Sequence, residues 1–189
     1  MKWDKAANQF IDALASSDAT PGGGAGAAMT GAMGCALALM AVGTTLKRKS
    51  TPPSVLPKLS DSYKRLMSFK DELQSYILKD GEAYSSYLTA KKLPKQDDNR
   101  QNALEQALWF AARVPADTAT AALHCLREID LIKSDVAEVI MSDILCARHL
   151  LQSCIKCSVE NMRANLVFIT NKDHVAALEK QIATFLKSC

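Results

Sequence analysis

The run TPGGGAGAAMTGAMGCALALMAVGTTLKRK, Thr20 to Lys49, decides the fold. From Ala19 to Leu46 it contains no Asp, Glu, Lys, Arg or His, so nothing in it asks for water. Its length would allow a membrane span. Its composition argues otherwise, because Ala, Gly, Met and Thr dominate and the large aliphatics are confined to Leu37, Leu39, Val42 and Leu46. The expectation is a helix buried in protein. Small residues at Gly23, Ala27 and Gly31, and again at Gly26, Thr30, Gly34 and Ala38, would let neighbouring backbones approach closely. Lys47-Arg48-Lys49 then marks a solvated end whose charge suits a helix C-terminus.

Every segment around this run also reads as helix. Before it, Trp3, Ala7, Phe10, Ile11 and Leu14 form one apolar stripe over residues 3–16. After it, Pro52, Pro53 and Pro57 punctuate the chain, a periodic segment covers 56–90, and Leu93-Pro94 stops it. A further helix is expected from about 99 to Val114, with Pro115 either opening a new helix or kinking the old one on the way to about Ile129. Residues 134–169 and 173–187 supply two more. No strand pattern or internal repeat is apparent. The 189 residues fit one domain, 1–189, and the fold class is all-α: a bundle of long helices with a Gly-rich turn leading into a buried small-residue helix.

Composition narrows the function classes. The chain is 48% hydrophobic, 6% aromatic and 23% charged, with a net charge of +3 and a pI near 8.5. That balance is too mild and dispersed to argue for nucleic acid as a partner. The N-terminus opens no signal peptide, so the six cysteines (Cys35, Cys125, Cys146, Cys154, Cys157 and Cys189) read as thiols of a reducing cytoplasm. Cys154 and Cys157 make a lone C-x-x-C within a helical pattern, read as buried thiols rather than a metal or redox site. His124, His149 and His174 share no helix-face spacing, so no metal is expected.

Chemistry is suggested by polar residues on apolar stripes. In 56–90 the stripe reads Leu59, Tyr63, Leu66, Lys70, Leu73, Ile77, Asp80, Tyr84, Tyr87, placing Asp80 where a Leu belongs. An unpaired buried carboxylate is costly, so Asp80 is hydrogen-bonded, charge-paired or lining a wet cavity, or else is turned outward by a bend. The stripe Val136, Ile140, Asp143, Ala147, Leu150, Cys154, Cys157, Asn161, Asn165, Phe168 is interrupted three times. Asn161 and Asn165 are one turn apart and present two amides in one direction, as a binding site or as a structural network; Asp143 shares their face. The turn Gly22-Gly23-Gly24 offers N–H groups at a helix start, a generic capacity for oxygen anions.

Taken together, Phe10-Ile11-Asp12-Ala13-Leu14-Ala15-Ser16-Ser17, Thr20-Pro21-Gly22-Gly23-Gly24-Ala25-Gly26-Ala27-Ala28, Gly31-Ala32-Met33-Gly34 and Ala38-Leu39-Met40 resemble the opening of the methenyltetrahydrofolate cyclohydrolase and formiminotetrahydrofolate cyclodeaminase family. Asp80-Gly81-Glu82-Ala83-Tyr84, Leu93-Pro94, Val114-Pro115, Ser142-Asp143-Ile144 and Asn161-x-x-x-Asn165-Leu166 extend the resemblance over nearly the whole chain. It departs at Leu78, where the family often has a second acid, at Tyr84 in place of Phe, and at Leu145 in place of Gly.

The resemblance implies a cytoplasmic, usually homodimeric enzyme of one-carbon metabolism that takes a tetrahydrofolate derivative as substrate and needs no tightly bound cofactor. The expected reaction is hydrolysis of 5,10-methenyltetrahydrofolate to 10-formyltetrahydrofolate. Ring closure of 5-formiminotetrahydrofolate with release of ammonia is the alternative, disfavoured here by the absence of a fused formiminotransferase domain. A folate-binding or scaffold protein without activity is a third, motivated by Leu78 and Leu145. For hydrolysis, Asp80 is expected to act as base with Asp143 as its partner or alternate base, Asn161 or Asn165 to hold the pterin, and Tyr84 to bind substrate. The Gly22–Gly24 turn would take oxygen or carboxylate groups, and Lys91, Lys95 or the Lys47–Lys49 cluster would meet the glutamate tail by charge.

Overall fold

The computed structural model describes residues 2–188, with Lys2 described by its backbone alone; Cys189 lies outside the described residues. Its helices are α1 (Lys2–Leu14), α2 (Gly23–Lys47), α3 (Leu56–Lys92), α4 (Arg100–Ile132), α5 (Met141–Leu166) and α6 (Lys172–Lys187), with no strand among the described residues.

Helix α2 is the axis of the molecule, packed against α3, α4 and α5, which also pack on one another in the pairs α3–α4 and α4–α5. By length and composition α2 is apolar enough to cross a membrane, with mean hydropathy 1.7 over its most apolar window, yet 61% of that window is buried against the rest of the chain. The division of labour is physical. α2 buries Gly24, Ala25, Ala27, Ala28, Gly31, Ala32, Gly34, Cys35 and Ala38, while its neighbours supply bulk through Leu59, Leu66 and Leu73 of α3, Ile129 of α4, and Ile144, Leu151, Ile155 and Met162 of α5. Each fully buried Leu or Ile contributes about 1.5–3 kcal/mol relative to exposure. Such density requires that the small partners stay small. A Cβ on Gly34 would stand 3.0 Å from the Ala147 carbonyl oxygen and 3.0 Å from Leu151 Cγ, so the α2–α5 crossing depends on its absence.

Pro115 kinks no chain end into being: α4 runs through it as one helix, which settles the choice between a new start and a continuation. The start of α5 differs from the expected 134–169. Residues Lys133–Asp135 and Glu138–Ile140 are separate 3-10 turns, and the α-helix begins only at Met141. The cause is tertiary, because the Ala137 N–H donates to Oγ1 of the buried Thr45 at 3.1 Å instead of entering a helical ladder.

Other polar contacts hold the helices together. Glu128 accepts two hydrogen bonds from Arg65, at 2.9 and 2.8 Å, joining α3 to α4, and that guanidinium holds the Glu128 carboxyl below its ordinary range. The Asn171 side chain caps α6 by accepting the Asp173 and His174 N–H groups. His174 stacks on Trp109 of α4, with ring centroids 3.8 Å apart. The thiols divide: Cys35, Cys125 and Cys154 are buried, as core residues should be, whereas Cys146 and Cys157 are exposed. Half of the C-x-x-C pair is thus at the surface, because the two positions straddle the edge of the α5 packing face.

Candidate functional site

Four helices meet at one end of the bundle around a cavity of about 340 Å³. The N-terminus of α2 contributes Gly22, Gly23 and Gly24, α3 contributes Asp80, Ala83, Tyr84 and Tyr87, α4 contributes Leu108 and Ala111, and α5 contributes Asn161 and Asn165; Ala19, Thr20 and Phe168 close the rim. The volume suits a fused heterocycle rather than a long ligand in full. A larger open groove of about 520 Å³ between α3 and α4, with Ser85, Thr89, Gln106 and Phe110, has no ionisable side chain in its lining and so nothing to move a proton.

Asp80 is the one ionisable carboxylate in the cavity lining. Its Oδ2 accepts the Ala25 N–H at 3.0 Å, so it caps the first turn of α2. Burial pushes the Asp80 carboxyl above its ordinary range, and the Ala25 hydrogen bond opposes that shift only in part. A carboxylate so placed is a stronger base than a solvated one and faces a partly apolar cavity, where its field on a cationic ligand is weakly screened.

The glycine turn exists for this contact. A Cβ on Gly24 would overlap Asp80 Oδ1 and stand 2.6 Å from its Cγ, and one on Gly23 would stand 3.3 Å from Asn161 Oδ1. No described glycine has a positive φ, so the turn supplies close approach rather than unusual backbone conformation. Gly22, Gly23 and Gly24 line the cavity, as expected of the turn, while the amide that follows them is already engaged. The Ala25 N–H is held by a protein carboxylate. The Thr20–Pro21 peptide leading into the turn is cis.

Both asparagines reach the cavity and both spend an N–H on a backbone carbonyl. Asn161 Nδ2 donates to the Cys157 oxygen at 2.8 Å, and Asn165 Nδ2 donates to the Ala111 oxygen of α4 at 2.9 Å. Tyr84, Tyr87 and Phe168 give the cavity three aromatic walls.

The structure thus brings together Gly22, Gly23, Gly24, Asp80, Tyr84, Asn161 and Asn165. It does not bring in Asp143. That residue lies in the first turn of α5, eighteen residues before Asn161, or about 27 Å along the axis. Eighteen residues make five whole turns, so the two share a face but not a depth, and the acid sits where a helix dipole favours it. Lys95 is exposed beyond the end of α3 and does not line the cavity. Lys91 does not line the cavity either; its Nζ lies 5.6 Å from the centroid of the ring of Tyr87, which does. Leu78 is 73% exposed on the side of α3 away from Asp80, so the missing second acid leaves the cavity lining as it is. Leu145 is likewise exposed.

Tyr87 and Phe168 were not expected as site residues, although each lies seven positions beyond a polar residue that was, on the same stripe. Leu108 and Ala111 carry no sequence signal of a site.

Residues 6–184 match the family described as formiminotransferase-cyclodeaminase. The chain is 33% identical over 131 residues to a methenyltetrahydrofolate cyclohydrolase of Methylorubrum extorquens, covering 69% of this chain and 61% of that protein. It is 30% identical over 189 residues to a formimidoyltransferase-cyclodeaminase of Sus scrofa, covering 94% of this chain and 34% of that one. These relatives are longer, and the chain spans less than two thirds of each. A solved structure of a formiminotetrahydrofolate cyclodeaminase from Thermotoga maritima superposes with a TM-score of 0.80 at 26% identity, covering 96% of this chain and 91% of that one.

Proposed function

The chain belongs to the formiminotransferase-cyclodeaminase family, and from that premise we propose that it is a folate enzyme that hydrolyses 5,10-methenyltetrahydrofolate to 10-formyltetrahydrofolate. The observation that carries the proposal is Asp80, a carboxylate with a raised proton affinity facing a ring-sized cavity flanked by two amides. The similarity to the Methylorubrum extorquens cyclohydrolase supports the choice of reaction.

The substrate is an amidinium cation, which the Asp80 carboxylate stabilises by charge. Water adds to the carbon between the two nitrogens, forming a C–O bond as Asp80 takes one water proton. The bond from that carbon to N5 then breaks, N5 receives the proton held by Asp80, and the hydroxyl proton leaves as the formyl carbonyl forms on N10. One water is consumed and one proton released. Asn161 and Asn165 hold the pterin, the aromatic side chains cover its faces, and Lys91, beside Tyr87, meets the glutamate tail. No metal or tightly bound cofactor takes part in this scheme.

The structural match to the Thermotoga maritima cyclodeaminase favours a second reading, ring closure of 5-formiminotetrahydrofolate with loss of ammonia. Both reactions share the methenyl chromophore. Purified protein is expected to make the methenyl absorbance fall when given the methenyl substrate. A rise with the 5-formimino substrate, and no catalysed fall, would replace the first reading with the second; silence in both assays, with folate bound, would leave a binding protein.

The proposal extends to assembly and place. Ile11 and Leu14 on α1 and Met33 and Met40 on α2 are exposed apolar side chains, which supports a second copy of the chain covering them. Buried thiols on α2, α4 and α5 suit the cytoplasm.

A further inference from the structure

Proline within a helix removes a donor, and the carbonyl four residues earlier loses its helical partner. In α4 that carbonyl belongs to Ala111, because residue 115 is Pro115. Ala111 lines the cavity, and its oxygen accepts Nδ2 of Asn165 from α5 at 2.9 Å. A carbonyl oxygen can only accept, so the contact decides which end of the Asn165 amide faces it. The NH2 group points to Ala111, and Oδ1 is left as the acceptor. The contrast with Asn161 is instructive. Its NH2 group bonds the Cys157 carbonyl, four residues back on the same helix, so that contact ties Asn161 only to α5. Asn165 is instead tied across helices to a carbonyl that the proline has left open.

We propose that Pro115 is a positioning residue: by leaving the Ala111 carbonyl without its helical donor, it locks the Asn165 amide in one orientation and so presents a fixed acceptor to an N–H-bearing ring edge of the ligand. The ligand half of this statement rests on the folate reading of the cavity. The clamp does not. Pro115 is buried and does not line the cavity, so its effect on ligand passes through Asn165.

The test uses Pro115→Ala, which restores an N–H to compete for the Ala111 carbonyl, together with Asn165→Ala, the double variant, and Asn165→Asp in both backgrounds. Pro115→Ala is expected to raise KM for 5,10-methenyltetrahydrofolate about tenfold, the worth of one hydrogen bond, with kcat within about twofold of wild type. In the Asn165→Ala background the same change should leave KM unaltered, since the group it releases is gone. Asn165→Asp sets a carboxylate against an open carbonyl. It should be more damaging beside Pro115 than beside Ala at that position, a partial rescue that a merely structural role would not produce.

In the ligand-free wild type, the side-chain NH2 protons of Asn165 are expected to exchange with solvent more slowly than those of the exposed Asn102, read by nitrogen-15 NMR. Equal exchange overturns the clamp, with or without a foldable Pro115 variant. Additive effects of Pro115→Ala and Asn165→Ala on KM, or an unchanged KM in Pro115→Ala, overturn the positioning role. Absence of both wild-type turnover and folate binding overturns the folate reading instead, and the exchange rates then decide the clamp alone.

Discussion

Asp80 is both helix cap and proposed base, and substitution separates the two roles. Asp80→Asn keeps an oxygen for the Ala25 N–H but cannot take a proton, so kcat is expected to fall by about 10²–10⁴ with the fold retained, checked by steady-state rates beside thermal melting. Normal turnover in the folded variant would end the assignment. The pH dependence has a definite sign. The folded Asp80 pKa is raised by burial above an unfolded value of about 3.9, so the charged form costs stability. That cost is absent below the unfolded pKa and complete above the folded one. Wild type should therefore lose stability relative to Asp80→Asn as pH rises through that window, as measured by urea unfolding at stepped pH; parallel curves would contradict the burial argument. Gly24→Ala tests the same contact from the other side. The added methyl displaces the carboxylate, the mobile end of a short side chain, so kcat/KM is expected to drop by at least about tenfold. Stability should change by only about 1 kcal/mol, since Ala is the better helix residue.

Between elements, the governing contact is α2 against α5. Gly34→Ala places a methyl against the Ala147 backbone oxygen and Leu151, and is expected to cost about 1–3 kcal/mol by overpacking. Gly26→Ala meets only Leu14 at 3.7 Å and should be neutral or stabilising by up to about 1 kcal/mol. Denaturant midpoints of the two variants check the contrast, and equal midpoints would mean that the helices separate at no cost. This element was legible in the sequence because a charge-free run of small residues has few other uses. Helices α3 and α6 were legible because 3.6-residue periodicity is a local property. The start of α5 was not, since Thr45, ninety-two residues earlier, captures the Ala137 N–H. Nor was the exclusion of Asp143, because periodicity assigns a face and says nothing of depth along it. Asp80 and the asparagines stood out as breaks in apolar stripes, whereas Ala111 became visible only once Asn165 was seen bonded to it.

At the scale of the molecule, four helices meet around the Asp80 cavity at one end and leave apolar side chains outward on α1 and α2, which the proposed second copy would cover. Ile11, 60% exposed, is the most direct probe. Ile11→Asp is expected to shift the chain from dimer toward monomer in sedimentation velocity at micromolar concentration, with the secondary structure unchanged. A wild-type chain that sediments as a monomer at all concentrations would remove the dimer from the proposal. The central place of α2 also bears on synthesis. Its packing partners extend to α5, so a chain emerging from the ribosome carries the most apolar helix of the molecule only partly covered until residues beyond 141 have followed. At typical elongation rates that interval is on the order of ten seconds. Chaperone demand and aggregation should therefore concentrate in nascent chains stalled short of α5, and a helix that is inert at the centre of the finished protein is its chief hazard while it is being made.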